Sequence, residues 1–413
     1  MEFETSFLLP VVILLGISMG ISVLLSIFKL KFLPAFVDEI IIGIILGGVL
    51  TRYFASVEGF NEVIDVLYII GFSIIMFLSG YDANLSIIRD KQKTTQSHIN
   101  VGRISIILLG AVYLVSLGGA FLFASHFEHF WLGIILLTIT FASTFAGIVA
   151  PLINVERLNN TCWGNIMVMF SLISELLSIL LLTVFMIAIN ISINYVWTYA
   201  IMIGLFILLY FGLRIQRGRK FEEGMTFLKV QMIVFALVVS VLLSEIGGGE
   251  YVLGAFLLGL FMKFVRIEHK YMDHIESLGY GVFIPMFFII VGMQVNIVNF
   301  MENPELILWA LGLFATFVIV KIPLMYLTKW YSFRTGLMSM LMASCTLVVT
   351  IAVSHIGTKA EIFSHEFGEA LVLAGILTTI VAPSIYEIRY AKLYKSLKKK
   401  EMGLTYGKNE EPA

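Results

Sequence analysis

The stretch WGNIMVMFSLISELLSILLLTVFMIA, residues 163–188, is apolar for long enough to cross a bilayer and holds one acid, Glu175, near its middle. A helix of about 20 residues spans the hydrocarbon layer. An ionisable carboxyl at that depth costs about 2.5–3.5 kcal/mol on insertion scales. Such a group faces a partner, a water-filled cavity or a transported ion.

The rest of the chain is built like this stretch. Hydrophobic residues make up 59% of the 413 positions and charged residues 13%, where a soluble domain carries about 25% charged. This fits an all-α integral membrane protein with little chain left over for a soluble domain. Apolar runs fall at 7–27, 33–52, 63–83, 103–124, 131–153, 163–188, 195–214, 226–244, 251–266, 279–298, 305–328, 335–357 and 367–388, which predicts about 13 transmembrane helices. The chain reads as one transmembrane domain, 1–392, and a short basic tail, 393–413. The N-terminal residues Met1, Glu2, Phe3 and Glu4 lack the basic region of a secretory signal, so the first run is expected to be retained.

Loop charge orients the runs. Alternating them places 24 Lys and Arg residues on one side and two, Arg52 and Lys359, on the other, with Lys321 inside the eleventh run. The positive-inside rule then puts the N-terminus outside and the C-terminus in the cytoplasm of a cell-membrane, multi-pass protein. The basic tail reads as an anchor to anionic membrane lipid, with docking of a cytoplasmic regulatory partner as the alternative. Cys162 and Cys345 lie far apart and suggest neither a disulfide nor a thiolate metal site. No Gly-rich phosphate loop is present. No enzyme, cofactor or nucleic-acid partner is indicated.

The runs repeat internally. Gly43 and Gly47 in run 2 match Ala255 and Gly259 in run 9; Gly80 and Asn84 at the end of run 3 match Gly292 and Asn296 at the end of run 10. Gly47 to Gly80 and Gly259 to Gly292 are both 33 residues apart. Ala142–Ser143–Thr144 in run 5 pairs with Ala343–Ser344–Cys345–Thr346 in run 12. Each pair is seven runs apart, and an odd offset inverts the second copy. The copies are expected at about 7–188 and 226–388, with a linker helix at 195–214. Inverted repeats are characteristic of secondary transporters, whose sites lie where discontinuous helices meet. Runs 5 and 12 are the candidates for those helices: both carry small and hydroxyl residues at mid-depth, and run 5 adds Gly147 and Pro151, which weaken a helix.

Ser171, Glu175 and Ser178 share one helical face, with Ser174 adjacent. Carboxylate and hydroxyl oxygens suit H⁺ or an alkali cation rather than a soft metal. Lys321, followed by Pro323, is expected to pair with Glu175 when no cation is bound. Asp38, Glu39 and Asp82 are expected to be wetted residues at a funnel mouth.

Leu33 and Pro34 through Gly47, Gly71 and Phe72 through Gly80, Leu253 through Gly259 and Ile284 through Gly292 together resemble bacterial monovalent cation/proton antiporters, in the branch that includes Kef-type potassium/proton exchangers. The resemblance covers nearly the whole membrane region. It implies two crossed, discontinuous helices in runs 5 and 12, a carboxylate on the helix after the first of them, matched by Glu175, and a basic residue before the second, matched by Lys321. It also implies a homodimer in which a core domain moves like an elevator against a dimerisation domain. The family usually has Asp where this chain has Glu175. The expected site is Glu175, Ser174, Ser143 and Thr144 holding H⁺ or an alkali cation, with Lys321 compensating charge and Ser171, Ser344 and Thr346 in support. The expected activity is exchange of Na⁺ or K⁺ for H⁺, electroneutral because no second acid adjoins Glu175. The alternatives are a sodium-coupled organic anion symporter and a non-transporting sensor.

Overall fold

A backbone in hydrocarbon has no water to bond, so each apolar run closes its hydrogen bonds within a helix. The computed structural model describes residues 8–28, 35–54, 59–82, 101–155, 158, 161–189, 201–211, 222–246, 251–265, 267, 269–295 and 297–406. In chain order the helices are α1 (Leu8–Phe28), α2 (Ala35–Phe54), α3 (Phe60–Asp82), α4 (Val101–Phe121), α5 (Phe130–Ala142), α6 (Ala146–Val155), α7 (Cys162–Ile189), α8 (Ile201–Phe211), α9 (Glu222–Ile246), α10 (Tyr251–Val265), α11 (His269–Leu278), α12 (Ile284–Met293), α13 (Ile297–Glu302), α14 (Pro304–Ile319), α15 (Phe333–Ser344), α16 (Val348–Lys359) and α17 (His365–Tyr406). Among the described residues there is no strand beyond one isolated bridge between Phe127 and Phe363. The protein is an all-α integral membrane protein.

Eight helical stretches of the described residues are long and apolar enough to cross a membrane, or nine when α15 and α16 count as one. The sequence reading gives thirteen; α1, α8 and α10 qualify only as shorter apolar helices. α17 runs unbroken from His365 to Tyr406, and the Lys, Leu and Glu residues after Ala391 favour helix. Residues 407–413 lie outside the described residues, as do 1–7, both ends of the linker run, Asn84, Asn296 and many of the loop lysines and arginines counted above.

The chain divides into two units. The first holds residues 1–30, 35–83 and 183–297. In it α3 packs along α10, and α2 along α12. Glycines set both contacts. A Cβ on Gly259 would overlap the Phe77 carbonyl and sit 2.8 Å from the Tyr81 nitrogen; one on Gly47 would fall 2.7 Å from the Met293 Cα. Gly80 lies against Phe256, and Gly43 and Gly292 lie against each other. Helices in lipid associate by such close backbone approach. Each contact joins one helix of the stretch 7–188 to one of 226–388. Phe72 and Phe287 stack beside them, centroids 5.1 Å apart. Asp38 and Glu39 are 9% and 6% exposed, so they are buried rather than wetted; α2 lies against α12 here, with Phe36 5.4 Å from Phe288. The Asp82 side chain is outside the described set.

The second unit holds residues 31–34, 84–182 and 298–413. α4 packs on α5, α14 on α17, and α16 on both α5 and α17. Two helices are interrupted here: α5 and α6 by residues 143–145, α15 and α16 by residues 345–347 with a 43° bend. The first interruption falls at the mid-depth hydroxyl residues of run 5, with Ser143 extended at φ −62° and ψ 150°; Pro151 lies inside α6. Hydroxyl residues at 143 and 144 offer the backbone alternatives to the helical ladder, and the facing interruption supplies partners for them.

Candidate functional site

The two interruptions meet. The Phe145 N–H donates to the Cys345 carbonyl at 2.7 Å. The Thr144 hydroxyl donates to the Ala343 carbonyl at 2.6 Å, and Ser143 Oγ lies 3.1 Å from Thr346 Oγ1. Each chain thereby satisfies backbone groups that the other's broken ladder exposes, which a dry interior requires.

α7 lays a polar face along the first interruption. Near its midpoint Glu175, 1% exposed, accepts through Oε2 from the Ala146 N–H at 2.9 Å. One residue earlier, the Ser174 hydroxyl donates to the Ala142 carbonyl at 2.8 Å. One turn on, Ser178 Oγ is 3.4 Å from the Ile139 carbonyl and 3.0 Å from the Tyr113 hydroxyl of α4. Ser171 is buried on the same helix and donates to its own Val168 carbonyl.

Lys321 follows the C-terminus of α14, where the helix gives way to a 3-10 stretch, Ile322–Lys329, that begins with Pro323 in its first turn. Its side chain is fully buried. Nζ donates to the Ala142 carbonyl at 2.7 Å, the Ser143 carbonyl at 2.8 Å and Thr144 Oγ1 at 3.2 Å. Three acceptors match the three donors of an ammonium. Lys321 and Glu175 thus meet the same interruption at its two ends. Lys321 holds the carbonyl end of α5, and Glu175 holds the amide end of α6.

Electrostatics explains that choice. A broken helix exposes a partial negative charge at the C-terminus of its first half and a partial positive charge at the N-terminus of its second. Lys321 sits at the former and Glu175 at the latter. Bonds with one charged partner are about twice as strong as neutral ones, so the two ionisable side chains are the natural caps of a mid-membrane interruption.

The second interruption is capped by neutral groups. Thr378 of α17 accepts from the Thr346 N–H at 3.3 Å and lies 3.2 Å from the Thr346 carbonyl. The Cys345 thiol points to the Thr378 carbonyl at 3.6 Å. Thr346 Oγ1 continues to Thr350 Oγ1 at 3.3 Å. Ser344 bonds back to its own Leu341 carbonyl.

The structure thus brings Ser143, Thr144, Ser174, Glu175, Lys321 and Thr346 to one place, while the Ser171 and Ser344 hydroxyls turn into their own helices. Thr378 and Tyr113 were not singled out from the sequence. The signal for Thr378 was there: Gly375, Thr378 and Thr379 make a small, polar face on an otherwise apolar helix. The donor set is all oxygen, apart from one thiol. Among the described residues no group of three or more His, Cys, Asp or Glu can hold a metal ion. Oxygen donors suit hard cations and protons.

Comparison with known proteins bears on the same region. Residues 12–388 match the family described as sodium/hydrogen exchanger, transmembrane. A putative Na⁺/H⁺ antiporter of Bacillus subtilis is 30% identical over 352 residues, covering 82% of this chain; the chain spans 56% of that relative's length. An Na⁺/H⁺ antiporter of Enterococcus hirae is 26% identical over 343 residues, 79% of this chain and 84% of the relative. A K⁺/H⁺ antiporter of Saccharomyces cerevisiae is 22% identical over 366 residues, 83% of this chain and 40% of the relative. A match running from α1 to α17 and taking in both interruptions shows that the chain belongs to the sodium/hydrogen exchanger family.

Proposed function

We propose that this chain exchanges a monovalent cation, Na⁺ or K⁺, for H⁺ by alternating access, one for one and without net charge movement. The reading rests above all on Glu175: a buried carboxylate at the amide end of an interrupted helix, across the interruption from a buried ammonium. Relatives named as Na⁺/H⁺ and K⁺/H⁺ antiporters support it.

In this reading Glu175 carries either a proton or the cation. Its ionised form holds the Ala146 N–H and offers the cation a full negative charge. Protonation removes that charge and the ion with it. Ser143, Thr144, Ser174 and Thr346 supply neutral oxygens. Lys321 compensates charge at the other end of the interruption and keeps its proton through the cycle. Glu175 is then the one group that changes charge, which makes the exchange electroneutral. The helices at 7–188 and 226–388 are two inverted copies in a homodimeric cell-membrane protein, with its N-terminus outside and its basic C-terminal tail on the cytoplasmic side, near anionic lipid and any regulatory partner.

The test is a pH-gradient dye assay on reconstituted vesicles, titrated with Na⁺, K⁺ and Li⁺. The wild type should dissipate the gradient on addition of Na⁺ or K⁺. Glu175→Gln should not, although it keeps an oxygen for the Ala146 N–H. Full exchange in Glu175→Gln would refute the assignment.

A further inference from the structure

The two interruptions are capped by different chemistry. At the first, the exposed backbone groups go to Lys321 and Glu175, both ionisable, as well as to the Ser174 hydroxyl and the facing segment. At the second, they go to the neutral hydroxyl of Thr378 and to the facing chain. We infer that Thr378 is a positioning residue for the cation step: its hydroxyl fixes the backbone of Thr346, and so fixes Thr346 Oγ1 against Ser143 Oγ.

Four observations carry this. Thr378 is fully buried. Its hydroxyl touches both ends of one residue, accepting from the Thr346 N–H at 3.3 Å and lying 3.2 Å from the Thr346 carbonyl. The same hydroxyl is 2.7 Å from the Gly375 carbonyl of its own helix, so its single hydrogen is shared between a helical acceptor and one in the interruption. Finally, α17 can come this close only because residue 375 is glycine: a Cβ there would lie 3.0 Å from the Thr346 carbonyl and 2.9 Å from Thr350 Cγ2.

The consequence follows from what each cap senses. Glu175 changes charge when it takes up a proton, so the first interruption responds to pH. Thr378 does not titrate, so the second interruption stays in register throughout the cycle. It holds the Thr346 oxygen 3.1 Å from the Ser143 oxygen, a ready-made pair of neutral donors. Losing the Thr378 hydroxyl loosens that pair and weakens cation binding, while proton uptake at Glu175 is untouched.

This inference rests on the exchange reading above. The experiment compares wild type, Thr378→Ala and Thr378→Ser in the vesicle assay, measuring apparent KM for the cation, maximal rate and pH profile. Thr378→Ala should raise KM about ten-fold, the size of one lost buried hydrogen bond, with maximal rate close to wild type and the pH profile unchanged when the cation is supplied at the same multiple of each variant's KM. Thr378→Ser, which keeps the hydroxyl, should restore the wild-type KM. A purely structural role would lower the melting temperature and the maximal rate together and leave KM alone, and that result overturns the inference. If Thr378→Ala does not accumulate, Thr378→Cys keeps the volume with a weaker hydrogen-bonding group; a raised KM supports the inference and an unchanged KM overturns it. A wild type that moves no protons with any alkali cation removes the exchange reading itself. An active wild type with an unaltered Thr378→Ala removes the positioning role alone.

Discussion

At the scale of single residues, Glu175 and Lys321 are separable. Each caps one end of the same interruption, but only the carboxylate has a neutral stand-in of the same shape. Glutamine at 175 still accepts from the Ala146 N–H, so Glu175→Gln should melt close to the wild type in detergent while losing exchange. Lys321→Met removes the donor to the Ala142 and Ser143 carbonyls. An orphaned buried acceptor costs about 1–3 kcal/mol, so this variant should melt well below the wild type. Equal melting of the two variants would mean that the ammonium is not a cap. The contrast also marks what the sequence could tell. A lone acid in an apolar run and a lone base in another are conspicuous because burying either is costly, so both were legible as a site. Their partners were not. The backbone groups of Ala142, Ser143 and Ala146 that hold them are free to do so only once the chain is broken and crossed. Thr378 escaped notice for a related reason: a threonine in a membrane helix ordinarily bonds to its own backbone, and only the approach at Gly375 gives it a second partner.

At the scale of elements, the glycines of the first unit divide sharply. Gly259 on α10 has no room for a side chain, since even a Cβ would run into the α3 backbone at Phe77 and Tyr81. Gly48 on α2 has nothing within 4 Å of a Cβ. Gly259→Val should therefore force α3 and α10 apart, a cost of about 1–3 kcal/mol for overpacking. Gly48→Ala should be neutral or gain about 0.5–1 kcal/mol by removing helix-interior glycine. Thermal denaturation of the purified variants checks both, and an equal response of the two positions would show that the close approach is not what holds these helices. Gly43, Gly47, Gly80, Gly259 and Gly292 drew attention as a spaced repeat, and the structure puts every one of them at a helix contact. Glycine spacing was informative because helices in lipid have little besides close packing to hold them. The interruptions fall at the hydroxyl residues that stood out at mid-depth in runs 5 and 12, Ser143 and Thr144 in one and Thr346 in the other, where hydroxyls and facing carbonyls replace the ladder. Gly147 and Pro151 lie inside α6 and do not open it.

At the scale of the whole molecule, the charge moved per cycle follows from how many groups titrate. Position 174, beside the carboxylate, is a serine whose hydroxyl is bonded to the Ala142 carbonyl, so no second acid stands there to carry another proton. Lys321 has an acceptor for each of its three donors and need not lose one for the cycle to run. One cation crossing against one proton moves no net charge, and a membrane potential then does no work on the cycle. Two protons per cation would move one charge, and 100 mV would add about 2.3 kcal/mol, shifting the equilibrium cation ratio about 50-fold. The two stoichiometries are therefore far apart in a single experiment. The potential is set with a gradient of a membrane-permeant organic cation, so that no second alkali gradient drives the exchange, and the sodium ratio at which proton movement stops is read at 0 and at 100 mV. The expected result is the same sodium ratio at both potentials. A ratio that follows the potential would assign Lys321 a proton-carrying role, and Lys321→Gln should then make the balance point independent of potential while leaving Glu175 to exchange alone.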